Sequence, residues 1–366
     1  LRALGGNATS RALVLLDGVP MSDPFFGYIP FSAIAPERLA QVRVTRGGGS
    51  GPFGAGALAG TIELESAGID TLGGFTGQAL ANDRGETELS ASTGAQLGSG
   101  FVVASGRWDR GKGFFTTPEA DRVPLSARAA FDGWSAQIRG VAPVSGDVEL
   151  QVRGLAYRDE RTLRFEGADS TIEGQDASVR LVGRGAWAFD ALAYIQARNF
   201  TNIVVSSSRF VPVLDQRNTP ATGLGGKFEL RPPVGDAHVL RLGVDYRNAQ
   251  GELFETAISA FSGKVTARRQ AGGTNTDLGF FIEDDWTLGA MVLTAGARLD
   301  RWTIRDGFYR ERDAAGALQI DAGYPDRSGW DASFRGGLLY RANPLIALRA
   351  AAYSGLRLPT LNELYR

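Results

Sequence analysis

The chain has 366 residues and a nearly balanced charge, with 39 basic and 40 acidic side chains and a formal net charge of −1. This balance leaves no basic surface of the kind that neutralises phosphates, so the composition argues against nucleic-acid binding. No run approaches the roughly 18 apolar residues of a membrane helix, so any membrane crossing would use strands. The 49 glycines indicate many turns, and the absence of cysteine fits passage through an oxidising compartment.

The first predicted strand is the apolar run Leu13–Leu16, which ends in the turn-forming residues Asp17, Gly18 and Pro20. The loop that follows, residues 21–28, carries three aromatic side chains within four positions. Such side chains are costly to expose in a loop unless they meet a partner. The loop is therefore either a ligand-contact surface or a segment packed on a neighbouring wall.

A second loop, residues 46–53, contains four glycines among its eight residues, and glycine permits positive φ and a close approach of the backbone. Two interpretations stay open, a nest of amides that binds an anion and a tight structural loop. The next run, 54–59, satisfies the loose G-x-G-x-x-A pattern of a dinucleotide site. That site requires a helix directly after the glycines, whereas residues 60–65 alternate as a strand, so we reject it.

After Ser66 the sequence becomes a series of segments in which apolar and polar residues alternate with period two. We count about thirteen such strands between residues 75 and 356. In 148–156, Glu149, Gln151 and Arg153 share one face and apolar residues share the other, and 227–231 and 238–246 alternate in the same way. A charged face opposite an apolar face is typical of a barrel with lipid outside and a polar lumen inside.

The connections between these strands also alternate in length. Tight turns alternate with long polar loops near residues 111–124, 160–175, 206–219, 253–275 and 305–330. This asymmetry is expected for an outer-membrane barrel whose long loops face the cell exterior. A soluble β-sandwich has no reason to show it.

Neither a catalytic nor a metal-binding arrangement is predicted. The single histidine, His238, falls in the lipid-facing register of its strand, so a histidine-based triad or metal cluster cannot be formed. The acidic run Glu283-Asp284-Asp285 lies on a strand, where neighbouring side chains point to opposite faces. We therefore expect no enzymatic activity, no metal site and no cofactor.

Signatures at both ends of the chain resemble those of TonB-dependent outer-membrane receptors. The family's plug patterns "LxDGxP", "PxxIxxIxVxRG" and "GxGAxxGxI" match residues 15–20, 36–47 and 54–62. Near the other end, Arg357–Tyr365 is similar to the family's "fRxPxxxELY" segment within the barrel. Two ordered signatures about 300 residues apart argue against a chance match.

The resemblance implies a mainly β fold, a transmembrane antiparallel β-barrel with an N-terminal α+β plug domain inside the lumen. It implies that residues 1–66 are the C-terminal half of the plug. Residues 67–366 would then supply about 13 of the 22 barrel strands found in the family. On this expectation the chain is a fragment at both ends.

The function implied by the resemblance is TonB-dependent active import of a scarce nutrient, a ferric siderophore or cobalamin, across the outer membrane of a Gram-negative bacterium. The expected receptor is a monomer in outer-membrane lipid that works with TonB, ExbB and ExbD, whose contact segment is expected before Leu1. A passive porin-like channel is the alternative, although it needs no globular domain in its lumen. A β-barrel enzyme is a third class.

The resemblance also implies site residues. It places two loops at the plug apex, where family members touch their ligand, and the candidate contacts are Met21, Ser22, Asp23, Phe25, Phe26, Tyr28, Ser50 and Phe53. Ion pairs between plug and barrel form a latch in the family, for which Arg11, Glu37 and Arg46 are the candidates. Ala40 and Arg43 stand where the family commonly has acidic residues, so no acidic latch is expected there.

Overall fold

The computed structural model describes residues 11–47 and 54–366 and contains two sheets. A small sheet of four strands comes first in the chain, and a large antiparallel sheet follows. Within the described ranges, no helix is both long and apolar enough to cross a membrane. The expected order, a small domain followed by a barrel-like sheet, is therefore present.

The small sheet belongs to the predicted plug and consists of β1 (Ala12–Leu16), β2 (Val19–Pro20), β3 (Leu39–Arg46) and β4 (Gly60–Ser66), in the order β2-β1-β4-β3. Asp17 and Gly18 join β1 to β2 with positive φ values of 51° and 88°, the backbone that a two-residue hairpin requires. Strands β1 and β4 are parallel. The predicted strand at residues 60–65 is thereby confirmed, and no helix follows the glycines.

The large sheet consists of β5 (Phe75–Ala81), β6 (Thr87–Leu97), β7 (Gly100–Gly111), β8 (Phe131–Ser145), β9 (Val148–Thr162), β10 (Asp169–Gly183), β11 (Ala188–Val205), β12 (Pro212–Asn218), β13 (Ala221–Arg231), β14 (His238–Ile258), β15 (Val265–Leu288), β16 (Met291–Asp313), β17 (Leu318–Gly323), β18 (Arg327–Asn343) and β19 (Ile346–Tyr353). Strands β12 and β13 both pair with β11 and β14, so they form one interrupted strand. In the same way, β17 and β18 both pair with β16. The described part of the sheet therefore has thirteen positions, the number predicted.

The predicted register of the strands is confirmed. Arg153 of β9 and Asp245 of β14 are buried on the lumen side, at 5% exposure each, whereas Val152 is 46% exposed on the other face. Lys227 and Glu229 of β13 line a polar cavity beside the plug. Alternation with period two was sufficient for this prediction because every second side chain faces the lumen.

Three of the predicted long loops are wrong. Residues 160–175 lie mostly in β9 and β10, and residues 253–275 and 305–330 are largely strand, because β14, β15 and β16 extend over 21, 24 and 23 residues. A tilted membrane crossing needs only about 9 to 11 residues, so these strands continue past the membrane. Beyond the lipid no face has to be continuously apolar, which weakens the alternation in the sequence while the backbone pairing persists.

Two short α-helices accompany the strands. Helix α1 (Ile69–Leu72) joins the plug to the barrel, and α2 (Leu361–Tyr365) follows the last strand. Helix α2 contacts β15 and β16 on the lumen side. It belongs to the second sequence signature, which therefore lies inside the barrel next to the plug.

Candidate functional site at the plug apex

The apical loop, residues 21–28, is closed by hydrogen bonds to Asp23. Its carboxylate Oδ1 accepts bonds from the backbone amides of Phe25 (2.9 Å) and Phe26 (2.7 Å). Its own amide donates to the Tyr28 carbonyl (2.8 Å), and Gly27, at φ 77°, donates to the Asp23 carbonyl (2.9 Å). Asp23 is only 4% exposed, and burial raises the pKa of its carboxyl above the usual value. The residue therefore shapes the loop from within.

The apical loop has a buried side and an aromatic side. Met21 and Phe25 are completely buried, Met21 in a cluster shared by the plug and β9 of the wall, and Phe25 against β13 to β15 of the wall. On the other side, Phe26 and Tyr28 lie beside Phe200 of β11, with ring centroids 4.8 Å and 5.9 Å from that of Phe200. Phe200 lies near the end of β11 that leads into a long loop, so these three rings, the apical surface, are at the loop side of the plug.

The structure brings six of the eight predicted contacts together in this loop. Ser22 is half-buried and lines a cavity of about 180 Å³ with Asp23 and Gly27. The burial of Met21 and Phe25 corresponds to the wall-packing alternative, whereas Phe26 and Tyr28 are only partly buried. Ser50 and Phe53 lie outside the described residues. Ligand contact by any of the eight stays a prediction.

One predicted latch residue lies opposite a barrel cation. Glu37 sits in a short 3-10 turn, and its carboxylate is 3.1 Å from a guanidinium nitrogen of Arg107 on β7. Arg107 also pairs with Glu88 at 2.7 Å and Asp109 at 3.5 Å, both on the barrel. The Arg107 guanidinium therefore pairs both with Glu37 of the plug and with two acidic residues of the wall.

Two further plug–barrel contacts were missed by the sequence analysis. A carboxylate oxygen of Asp17 is 3.5 Å from a guanidinium nitrogen of Arg153, and this pair is nearly buried. Asp17 also accepts bonds from the amide and hydroxyl of Ser66 (2.8 and 2.7 Å). Arg38 donates to the Ser135 carbonyl (2.6 Å), and burial lowers the pKa of Arg38 to about 10. The only sequence signal was a charged Asp directly after an apolar strand.

The other two latch candidates have different surroundings. Arg46 is exposed at the end of β3, and within residues 11–47 and 54–366 it makes no ion pair. Arg11 is half-buried, and its Nε has no hydrogen-bond partner in the described part of the chain. Arg43 pairs within the plug, 3.7 Å from Glu63 and 3.8 Å from Glu65. A latch role for Arg11 and Arg46 stays a prediction.

A polar cavity of about 520 Å³ separates β4 of the plug from the barrel wall. Charged side chains of both signs line it, among them Asp190, Lys227, Glu229, Arg241 and Glu283. Most of these form ion pairs with neighbours on the wall, as Lys227 does with Asp190 at 3.0 Å. At this wall, apolar packing of the described plug residues is limited to Val19 on Leu192 and Tyr194, and the rest of the gap is lined by charged side chains.

The residues tested for catalysis lie away from the apex. His238 stacks on Trp286, with ring centroids 5.4 Å apart, and its Nδ1 is 2.7 Å from Asp284. Glu283 points to the other face, where it pairs with Arg241 at 3.3 Å. Among the described residues, no group of three His, Cys, Asp or Glu side chains is arranged to hold a metal ion.

Comparison with known proteins decides the family. The sequence model of the TonB-dependent receptor-like β-barrel matches residues 66–366, and that of the TonB-dependent receptor plug domain matches residues 1–61. The chain belongs to the TonB-dependent receptor family. Members are transporters of the Gram-negative outer membrane rather than enzymes. The predicted boundary after residue 66 stays a prediction.

Solved structures share the fold. The copper transporter OprC matches with a TM-score of 0.75 and 18% identity over 98% of this chain and 56% of its own. The FrpB iron transporter from Neisseria meningitidis (F3-3 variant) matches with a TM-score of 0.69 and 15% identity over 97% of this chain and 60% of its own. A double mutant of the Serratia marcescens hemophore receptor HasR, in complex with its hemophore HasA and heme, matches with a TM-score of 0.71 and 13% identity over 96% of this chain and 56% of its own.

The chain thus spans 56% to 60% of the length of these three proteins. A search of the curated proteins finds no match. At such low identity, the structural matches establish the barrel-and-plug fold of the receptor and not its cargo.

Proposed function

We propose that this receptor imports an organic iron chelate, a ferric siderophore, across the outer membrane by TonB-dependent transport. The observation that carries the proposal is the apical surface of Phe26, Tyr28 and Phe200, which tops a plug tied to the barrel by ion pairs. Apolar rings at this place offer contact area to an organic ligand. Cobalamin, another large organic ligand, is the second candidate.

The chain's own metal-binding chemistry favours a chelated metal over a bare ion. OprC is named as a copper transporter, and soft thiolate and thioether ligands select copper(I), with imidazole also suited to copper. This chain has no cysteine, one histidine and two methionines. Met21 is completely buried on the inner side of the apical loop, and His238 and Met291 stand at the tight-turn ends of β14 and β16. Among the described residues of this chain, therefore, no soft ligand for a bare ion faces the apex.

Structural neighbours named for iron transport show that this fold carries ferric chelates in other proteins. They include the ferric citrate transporter FecA at 13% identity and the ferric yersiniabactin uptake receptor FyuA at 12%, with TM-scores of 0.65 and 0.69. The proposal for this chain is limited to the class of organic ferric chelates. Growth on different ferric chelates distinguishes which chelating groups the receptor accepts.

Gating follows from the polar contacts between plug and wall. Energy delivered by TonB, with ExbB and ExbD, would displace the plug of a monomeric receptor held in outer-membrane lipid. Ion pairs such as Glu37–Arg107 can exchange their partners for water in a wet lumen, so they break at low cost. A passive porin-like channel would have no use for such a plug.

The test uses a deletion strain complemented with the full-length gene. Growth would be measured on a panel of ferric siderophores, ferric citrate, cobalamin and glycans, with and without TonB. The expected result is growth on at least one ferric siderophore that requires both the receptor and TonB. Growth on cobalamin alone would select the second candidate, and growth that does not require TonB would contradict active import.

A further inference from the structure

The segment after β19, residues 354–366, is called the strap here because it leaves the wall and crosses to the plug. The Leu356 carbonyl accepts a bond from the Gly56 amide of the plug (2.8 Å). The Asn362 amide donates to the Phe25 carbonyl in the apical loop (3.1 Å). Asn275 of β15 donates its side-chain amide to the Pro359 carbonyl (2.8 Å). The strap therefore joins the barrel wall to two separate plug segments.

Local interactions fix the shape of the strap. Thr360 and Glu363 form a reciprocal capping box at the start of α2. The two terminal guanidinium nitrogens of Arg357, Nη1 and Nη2, also donate to the Glu363 carboxylate, at 2.9 and 3.1 Å. A five-residue helix is marginal by itself, so these contacts and its packing on the wall hold it in place.

Tyr365 is inserted into a slot in the barrel wall. A Cβ atom added to Gly273 of β15 would lie 2.5 Å from the Tyr365 ring, and one added to Gly307 of β16 would lie 2.4 Å from it. Only glycine at both positions leaves room for the ring, and the φ angle of neither is positive. Tyr365 is 6% exposed as a result. The slot therefore locks the orientation of α2.

The opposite contact of α2 is with the apical loop. Leu361 is completely buried and packs in one cluster with Phe25, Leu253 and Ala271. Phe25 thus lies between the wall and the strap, directly next to Phe26 of the apical surface. A chain of contacts runs from the glycine slot through Tyr365 and Leu361 to Phe25.

We propose that Tyr365 and Leu361 are positioning residues, which hold Phe25 and thereby fix the apical loop with Phe26 and Tyr28 facing the loop side of the barrel. The value of this positioning for transport rests on the proposed function. The positioning itself is a property of the empty receptor, so its test needs no ligand.

The test is amide hydrogen exchange in the full-length receptor in detergent. Tyr365→Ala is expected to raise exchange in residues 21–28 by about tenfold while exchange in β15 and β16 stays unchanged. Tyr365→Phe keeps the ring in the slot and should match the wild type. Gly307→Ala should expel the ring and reproduce Tyr365→Ala. Gly323→Ala is the matched control, because a Cβ there meets no atom within 4 Å.

A double variant separates the slot from general damage to the barrel. Once Tyr365 is alanine, no ring remains to collide with a Cβ at position 307. Gly307→Ala with Tyr365→Ala should therefore exchange like Tyr365→Ala alone. Additive effects of the two changes, or unchanged exchange in residues 21–28 of Tyr365→Ala, would overturn the proposal. Neither result depends on whether the apical surface binds a siderophore.

Discussion

The plug meets the barrel through two kinds of contact. On β7 to β9 the contacts include a polar latch, which consists of Glu37–Arg107, Asp17–Arg153 and Arg38 with the Ser135 carbonyl, and this latch lies beside apolar packing of Leu155 and Tyr157 of β9 on the plug. On β13 to β15 and the strap the contacts form an apolar anchor, in which Phe25, Ala221, Leu253, Ala271 and Leu361 exclude water.

The difference assigns separate tasks to the two regions. A polar pair in a wet lumen can exchange its partner for water, so a latch of this kind holds and then releases. An apolar cluster loses its stabilisation when water enters, and close packing permits few geometries. The polar latch therefore suits a plug that must move, and the apolar anchor suits a loop that must be positioned.

Removal of the plug tests both regions together and has the largest expected effect. Deletion of residues 1–66 from the full-length protein should leave an inserted barrel with raised passive permeability and no energy-dependent uptake. Liposome swelling and TonB-dependent uptake are the measurements, with heat-modifiable migration as the control for folding. Uptake that still requires TonB after the deletion would contradict the gating role of the plug.

Within the polar latch, loss of Asp17 should have the largest effect. Asp17→Asn keeps the hairpin and the hydrogen-bonding shape but leaves the buried Arg153 guanidinium without its counter-charge. Breaking a buried pair in this way costs about 3 kcal/mol. The measurement is the urea dependence of labelling at a cysteine placed at the buried Thr61 in the plug, with the receptor that lacks this substitution as the blank; residues 1–366 contain no cysteine of their own.

The partly exposed Glu37–Arg107 pair should contribute less to plug stability than the buried Asp17–Arg153 pair. Glu37→Gln removes one charge from a pair whose side chains are 27% and 19% exposed, and Arg107 keeps Glu88 and Asp109 as partners. The expected loss of plug stability in the same urea assay is about 0.5 kcal/mol. A loss of plug stability as large as that of Asp17→Asn would contradict the expectation that the more buried ion pair contributes more stability.

The sequence predicted the barrel well because its pattern is local. Alternation alone identified thirteen strand positions and the faces of Arg153, Lys227 and Asp245. It failed where the strands continue past the lipid and no face has to be continuously apolar, as in residues 253–275. The polar latch and the apolar anchor join residues far apart in the chain, for example Glu37 with Arg107 and Phe25 with Leu361. Local periodicity carries no information about such partners, and the strap was visible only as a sequence signature.

The smallest expected effect concerns the carboxyl inside the apical loop. Burial raises the pKa of Asp23, so the folded loop binds a proton more readily than the unfolded chain. The stabilisation from this proton is complete below the usual pKa of about 4 and is lost as the pH rises through the raised pKa. Asp23→Asn has no such proton, although its Oδ1 still accepts the two amide bonds.

Hydrogen exchange in residues 21–28, compared between wild type and Asp23→Asn at each pH, isolates this effect. The wild-type loop should lose protection relative to the variant as the pH rises above about 4. A relative gain of protection with rising pH would show that the charged carboxylate is the stabilising form.

The most direct test of the whole account is the affinity of the full-length receptor for the ferric siderophore that supports growth, measured with radiolabelled iron. Phe26→Ala with Tyr28→Ala removes two rings of the apical surface and keeps the buried residues of the apolar anchor, Phe25 and Leu361 among them. The account predicts binding weakened by about tenfold or more, with normal folding and with Phe31→Ala, an exposed aromatic outside the loop, as an unaffected control. Wild-type affinity in the double variant would contradict it and move the binding site away from the plug apex.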